Sequence, residues 1–451
     1  MNEDTVFALA SGAGRAAIAV LRISGPESGP ALTALCGVKP PPRRAVVRAL
    51  RNKDRELLDR AQVVWMPGPG SYTGEDSVEL YIHAGRAVID AVTSALIDQG
   101  LRPAEPGEFT RRAFLNGKMD LVSAEAVHDL VAAETDAQRR QALRQMDGAL
   151  GDLYRDWSGR LRIALARQEA LIDFPDEDLP PEVEDALLAE VRVLRTAISA
   201  HLDDQHRGEK LRDGLIFAIT GAPNVGKSSL INALAGRDVA IVSATPGTTR
   251  DVIETRVVFG GVPVTLIDTA GLRDTQDPIE AEGVRRAHAR AADADLVILV
   301  EEAGSFAWAP EGTSARSNPM FKRPDSRTDR SALSRSALIV ANKADLRADP
   351  RPSVLSVSAL TGLGLDVLFA RLADAARALT ETGGPPPLTR ARHRVALATA
   401  ARWLDEAEGA REPELRGEAM RLALRAIGSI TGQVGIESIL DAIFREFCIG
   451  K

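Results

Sequence analysis

A chain of 451 residues, 45% hydrophobic and 26% charged, is too long for one hydrophobic core and too apolar for intrinsic disorder, so roughly two to four globular domains are expected. Its two cysteines, Cys36 and Cys448, exclude a disulfide framework and a multi-cysteine zinc site, and fit a reducing cytoplasm. A net charge of −7 argues against a protein that coats nucleic acid over its whole surface and leaves that role only to a local basic patch.

The N-terminus, MNEDTVFALASG, has neither the basic n-region nor the apolar h-region of a signal peptide. Residues 1–118 read as a mixed α+β domain. AAIAVLRIS (16–24) and AQVVWMP (61–67) have strand character, PGPGSYTG marks a turn, and GRAVIDAVTSALIDQG (85–100) reads as a helix ending at a glycine cap. Residues 119–213 change texture to a helical domain. Leu143, Met146, Leu150, Leu153, Trp157 and Leu161 follow one helical spacing, DFPDEDLPP breaks it, and Val183, Leu187, Val191, Leu194, Ile198 and Leu202 predict a second helix.

Residues 214–376 alternate short apolar strands (LIFAIT, VPVTLID, LVILV, ALIVA, SVLSVS) with helices, which implies a mostly parallel sheet covered by helices. None of these runs is long enough to span a bilayer. Residues 301–336, rich in Ser, Pro and Arg, read as a mobile surface insertion. Residues 377–451 return to helices, the last carrying Ile436, Ile439, Leu440, Ile443, Phe444 and Phe447 on one face. The simplest organisation is a helical domain, in two parts, into which the α/β domain is inserted.

The strongest chemical signal is GAPNVGKSS (221–229), which follows the strand LIFAIT and opens a helix. Gly221, Gly226, Lys227 and Ser228 satisfy G-x-x-x-x-G-K-[ST]. Only a glycine-rich loop lets successive N–H groups converge on phosphate oxygens, and the helix N-terminus favours the negative charge. Lys227 reaches terminal phosphates and Ser228 offers a hydroxyl to Mg²⁺. Asn224, Val225 and Ser229 complete the loop.

Three further motifs follow in order. DTAG (Asp268, Thr269, Ala270, Gly271) ends a strand near the Mg²⁺ shell and γ-phosphate. NKAD, with Asn342, Lys343 and Asp345, supplies a carboxylate that accepts two hydrogen bonds from guanine, which adenine does not offer. SAL places Ser358 and the Ala359 N–H at guanine O6. TPGTTRD (245–251) provides a switch loop with a threonine for Mg²⁺. The domain is therefore expected to bind GTP.

The hydrolytic group is less plain. Leu272 stands where many small GTPases carry a water-orienting glutamine. A carboxylate further along or a partner must replace it, and Asp277, Glu280 and Glu282 are all near in sequence. Asn224 and the carbonyls of the 243–248 loop suggest a monovalent cation in place of an arginine finger.

These motifs, with LRISG, YTGEDSVEL, PGEFTRRAFLNGKMDLVSAEAV, DFPDED and the terminal FCIGK, give the chain a resemblance to the MnmE (TrmE) family, GTPases that modify the wobble uridine of tRNA. The resemblance covers nearly the whole chain. It implies that Thr249 is the second Mg²⁺ ligand, that Asn224, Ser243, Thr245 and Thr248 surround K⁺, and that Glu280 is the catalytic carboxylate. It implies a folate site at Arg22, Glu79, Lys118 and Lys451 for 5-formyltetrahydrofolate or a related folate. It also implies a cytoplasmic homodimer without membrane contact, acting with the flavoprotein MnmG (GidA) on tRNA, and a role for Cys448 in modification.

Blander readings stand beside these. Arg22 and Glu79 alone read as an internal ion pair. RARHR (390–394) reads as a solvated helix start and GQVG (432–435) as a turn between helices. The blander reading of Cys448 is a small buried hydrophobe closing the last helix. Ala16–Ala17 and Leu360 depart from the family pattern. The competing function is a ribosome-assembly or other RNA-associated regulatory GTPase, which predicts a KH domain or a second GTPase domain that the sequence does not show.

Overall fold

Apolar residues at every second position build the first of two sheets. Strands β1 (Val6–Leu9), β2 (Ile18–Ser24), β3 (Val46–Arg51), β4 (Leu57–Met66), β5 (Ser77–His83) and β6 (Arg102–Pro103) take the order β3-β4-β5-β2-β1-β6. All neighbours pair antiparallel except β1 with β6. Because side chains alternate between faces, Phe7 enters the core under α1 (Ser28–Cys36) and α2 (Arg86–Ile97), with Leu21, Ile23, Leu80 and Ile82. Its neighbours Val6 and Ala8 face the other way, against Phe109 of α3 (Glu108–Leu115) and Tyr72. The computed structural model describes residues 4–12, 14–173, 181–236, 254–268, 293–304, 336–347, 354–381, 385–434 and 437–450.

A buried arginine ties this layer together. Arg112 is 2% exposed and meets Glu108 at 2.8 Å, Asp4 at 2.9 Å and Glu75 at 3.1 Å. Arg102 adds a second fork to Glu108 and Asp4. Burial opposes ionisation of Glu108, but hydrogen bonds from Arg102 and Arg112 outweigh it and hold the carboxyl below its usual range.

Helices α4 (Leu121–Ala132), α5 (Asp136–Met146), α6 (Ala149–Asp173) and α7 (Pro181–Leu202) follow. The single spacing from Leu143 to Leu161 is broken here. Gly148 takes φ +97°, a conformation that costs glycine little, and the helix ends at Met146 before α6 starts. Leu187, Val191, Leu194 and Ile198 of α7 are fully buried, as their spacing predicts. After the second sheet come α11 (Ala391–Gly409), α12 (Pro413–Thr431) and α13 (Glu437–Arg445). Helices α6 and α12 pack along each other, joined by Glu169–Arg421 at 2.8 Å. Leu440, Ile443, Phe444 and Phe447 pack on Leu121 and Phe114. Ile436 lies outside the described residues, as does the side chain of Ile439. Gly432 caps α12 in the left-handed region, so the described part of GQVG is a turn.

The second sheet contains β7 (Leu215–Thr220), β8 (Glu254–Phe259), β9 (Val262–Asp268), β10 (Leu296–Glu302), β11 (Ser336–Asn342) and β12 (Leu355–Ser356). Its order is β12-β11-β10-β7-β9-β8, parallel except for β8. Helices α9 (Lys227–Ala235) and α10 (Leu365–Thr380) bury Leu230, Leu234, Leu368 and Leu372 against it. Residues 305–335 of the 301–336 insertion lie outside the described residues.

By contacts the chain divides into two compact units: Met1–Val131, Ala142–Ser199 and Val395–Lys451 in one, and Ala132–Gln141 with Ala200–Arg394 in the other. Within the second unit, the segments entering and leaving it are strapped together around α8 (Arg207–Asp213). Gln138 and Gln141 donate to the Arg212 and Gly208 carbonyls at 2.9 and 3.0 Å. Arg394 donates to the Leu202 carbonyl at 2.7 Å and to Asp204 at 2.6 Å. RARHR is thus not a solvated helix start, since Arg394 serves this clamp and His393 is fully buried. Among the described residues no helix is long and apolar enough to cross a membrane.

Candidate functional site

The second sheet gathers the GTP motifs because its strands are parallel. Loops that leave the carboxyl ends of parallel strands share one edge of the sheet. Thus β7 runs into Gly221, β9 ends at Asp268, β11 ends at Asn342, and Ser358 and Ala359 follow β12. A side chain on Gly221 would put its Cβ 2.1 Å from the Val300 carbonyl, and one on Gly226 would put it 2.4 Å from the Asn342 amide. Both glycines are therefore required by space as well as by φ.

Gly226 caps α9, which begins at Lys227. The Lys227 ammonium, in a residue 5% exposed, donates to the carbonyls of Gly221 and Ala222 at 2.9 and 2.7 Å. Burial lowers its pKa, and Asp268 opposes that shift. The Ser228 hydroxyl donates to Asp268 Oδ2 at 2.6 Å, so a hydroxyl and a carboxylate from separate loops stand side by side. Val225 is buried, whereas Asn224, at φ +65°, and Ser229 are exposed.

Asn342 is the keystone of the base side. Its Nδ2 donates to the Val225 carbonyl at 2.8 Å, and its Oδ1 accepts from the Ala359 N–H at 3.0 Å. One buried amide thereby holds the phosphate loop and the SAL loop in mutual register. Ser358 is fully buried and its hydroxyl accepts from the Thr361 N–H. Lys343, at φ +65°, pairs with Glu302 at 3.2 Å. Asp345 is exposed beside it, and Leu360 is 87% exposed. Ser243, Thr245, Thr248, Thr249, Thr269, Ala270, Gly271, Glu280 and Lys451 lie outside the described residues.

The first sheet brings together a second set of groups. Arg22 on β2 stands opposite Glu79 on β5. Its Nη2 and Nε both donate to Glu79 Oε1, at 2.9 and 3.1 Å. The guanidinium lies over the rings of Tyr72 and Phe109, 5.5 and 5.7 Å from their centroids. Tyr81 donates to the other oxygen of Glu79 at 2.6 Å. Lys118 donates to the Pro69 carbonyl at 2.9 Å, on the loop that carries Tyr72. The pair is therefore an ion pair, but one set on an aromatic floor.

Sequence reasoning missed Tyr72, Tyr81 and Phe109. Tyr81 could have been found, because it lies two residues from Glu79 on a strand and must share its face. Tyr72 and Phe109 could not, since a turn and a helix bring them there.

The chain's last residues are anchored in the same unit. Gly107 N–H faces the Cys448 carbonyl at 3.5 Å, and Gly450 lies against Leu9 and Ala10, where a Cβ would come 2.3 Å from the Leu9 carbonyl. The Phe447 ring lies tilted against His128, centroids 5.0 Å apart. Cys448 itself is exposed, which corrects its reading as a small buried hydrophobe: the burial belongs to Phe444 and Phe447.

Comparison with known proteins covers the same ground. The model for the MnmE helical domain matches residues 121–448, and that for the GTP-binding protein TrmE N-terminus matches residues 5–118. A protein of Gluconacetobacter diazotrophicus named tRNA modification GTPase MnmE is 57% identical over 455 residues, spanning 100% of this chain and 99% of its own. Proteins of the same name from Granulibacter bethesdensis and Rhodospirillum rubrum are 54% and 52% identical, each over 100% of both chains. With more than half of its residues shared along its whole length, and both models matching, the chain belongs to the MnmE family.

Proposed function

We propose that this protein hydrolyses GTP as part of tRNA modification. Acting as a cytoplasmic homodimer with the flavoprotein MnmG, it installs the aminomethyl or carboxymethylaminomethyl group at C5 of the wobble uridine. The observation that carries the nucleotide half is the Asn342 bridge between the Val225 carbonyl and the Ala359 N–H. It sets the phosphate loop and the base-reading loop at a fixed separation. Asp345, next to it, supplies guanine selection. Lys227 turns from its loop carbonyls to phosphate oxygens, and the α9 N-terminus faces the same charge.

Ser228 and Thr249 would hold Mg²⁺; the Ser228–Asp268 pair is an oxygen-only donor set of the kind this ion takes. The ion would neutralise charge on the phosphates. Asn224, Ser243, Thr245 and Thr248 would hold K⁺, and the exposed amide of Asn224 is a suitable hard oxygen donor. Glu280 orients the attacking water. Arg22, Glu79, Lys118 and Lys451 would take a formyltetrahydrofolate, with the Tyr72 and Phe109 rings as an apolar floor. The exposed thiol of Cys448 serves the modification chemistry or the partner surface.

The test is GTP turnover in K⁺ against Na⁺ for the wild type and Glu280→Ala. The expected results are a marked preference for K⁺ and an inactive variant. Equal rates in both salts would remove the cation mechanism, and an active Glu280→Ala would remove that residue's role. For Cys448→Ser, GTP turnover should persist while wobble modification is lost. A deletion strain that keeps its wobble modification would overturn the tRNA role.

A further inference from the structure

Arginines in the first unit commonly end on carboxylates. Arg22, Arg102, Arg112, Arg155, Arg416 and Arg421 all do so within 3.1 Å. One segment concentrates arginines that do not. Residues 43–60 hold seven basic and three acidic residues, a net +4 in a chain whose total is −7.

Among the described residues, none of Arg43, Arg44, Arg48, Arg51, Arg55 and Arg60 forms an ion pair. Lys53, the segment's one lysine, pairs with Asp98 at 3.0 Å, and two of the three acids are engaged elsewhere. Asp59 accepts from the His83 N–H and ring, and Glu56 accepts from Asn52. Where these guanidinium groups donate, they use backbone carbonyls: Arg51 to Arg55 at 2.7 Å and Arg48 to Val47 at 3.0 Å.

The placement turns composition into a surface. The segment forms the β3–β4 hairpin, and β3 is the outermost strand of its sheet. Arg44 leads into the hairpin, Arg51 closes β3, and Arg55 sits in the turn at φ +67°. Arg60 pairs across the strands with Ala49, so it shares a face with Arg51. Arg43, Arg44, Arg51, Arg55 and Arg60 are all exposed. At ~3.3 Å per residue, β3 alone spans about 17 Å from Val46 to Arg51, with Arg44 beyond its start. That is a line of charge rather than a point.

Unpaired arginine is the side chain best suited to phosphate oxygens, which its planar fork meets with two hydrogen bonds. A line of such groups on a molecule of net charge −7 concentrates positive charge along one edge. We propose that the β3–β4 hairpin is the edge along which this protein holds the sugar–phosphate backbone of its RNA. This rests on the tRNA reading above and adds where the RNA lies.

The experiment measures binding of the full chain to an unmodified tRNA transcript over a series of KCl concentrations. Arg44→Ala/Arg51→Ala/Arg55→Ala should bind at least tenfold more weakly. Its slope of log affinity against log salt should be shallower by about 2, three contacts at ~0.7 each. The matching triple lysine variant keeps the charge and should recover most of both. GTP turnover at fixed salt should be unchanged in both, and a wild-type circular dichroism spectrum and thermal unfolding curve show that the first unit is folded.

Wild-type affinity and slope in the alanine variant would overturn the proposal alone. So would a lysine variant as weak as the alanine one. If the alanine variant keeps tRNA but loses a protein partner, the hairpin is a protein-binding edge and the proposal falls. A wild-type chain that binds no tRNA overturns the functional reading and this surface with it.

Discussion

The two sheets of this molecule each have six strands, yet they make their sites in different ways. In the parallel sheet, β7, β9, β11 and β12 all deliver their carboxyl ends to one edge. A motif placed just after a strand is therefore placed in the site. In the antiparallel sheet, strand ends alternate between edges, and the candidate site lies on a face. Arg22 and Glu79, 57 positions apart, meet because β2 and β5 pair in one particular register. A one-residue slip would turn Glu79 to the opposite face. The first kind of site depends on chain order and the second on pairing. The two should fail differently when perturbed.

The largest separation of the two should come from Lys227→Ala. Removing the buried ammonium should lower GTP turnover by about 10²–10³-fold, while folate affinity of the first unit stays within twofold. Steady-state hydrolysis and equilibrium folate binding measure the two sides. A matching loss of folate binding would show that the sites are not separable.

Arg112→Met tests the other sheet. Removing Arg112 leaves Glu75 without its cationic partner and Glu108 and Asp4 with Arg102 alone, and should cost about 3 kcal/mol. Denaturant unfolding of the first unit is the measure. Glu108 and Asp4 have folded pKa values below their usual ones. Their contribution is present above the ordinary carboxylate pKa and is lost as pH falls through the lowered values. The wild type should therefore weaken on acidification more than Arg112→Met does. Equal acid sensitivity would mean that the ion cluster does not set it.

A smaller effect is expected from Tyr81→Phe. The hydroxyl fixes one oxygen of Glu79 while Arg22 fixes the other. Its loss should weaken folate binding about tenfold, from the ~1.5 kcal/mol of a hydrogen bond to a charged group, and leave GTP turnover alone. Unchanged folate affinity would remove Tyr81 from the site.

The smallest effect lies in the second unit. Burial depresses the His201 pKa to about 4, with Asp204 opposing this and Arg394 and His393 adding to it. A histidine kept neutral in the fold stabilises fully above its unfolded pKa of ~6.5, and that stability drains as pH falls from there toward 4. The drop in the unit's stability between pH 7 and pH 5 should shrink in His201→Gln. An identical drop in the variant would assign the pH dependence to other groups.

Legibility followed the same division. Strands β2, β4, β7, β9, β10 and β11 could be read from short apolar runs. The phosphate loop, DTAG, NKAD and SAL each declared both a residue type and a position at a strand end. Strand β3, VVRALR, could not be read, because an edge strand with arginines on it has no clear alternation. Arg394 was misread because a charge run looks solvated until the segment it faces is known. Here that segment ends in Leu202 and Asp204, roughly 190 residues earlier in the chain. Gly148 split one helical pattern into two because periodicity does not register a single residue at positive φ.

The sequence by itself determined which residues the nucleotide motifs bring together. Glycine spacing, a lysine, a serine and the NKAD carboxylate are local features, and the alternation of strand and helix sends them to one edge. Only the tertiary structure decided the rest. It set Arg22 over Tyr72 and Phe109 beside Glu79, buried Arg112 among three carboxylates, and left the β3–β4 arginines without carboxylate partners. Each of these depends on which distant segment a side chain meets. That is settled by strand register and helix packing, which no stretch of chain carries alone.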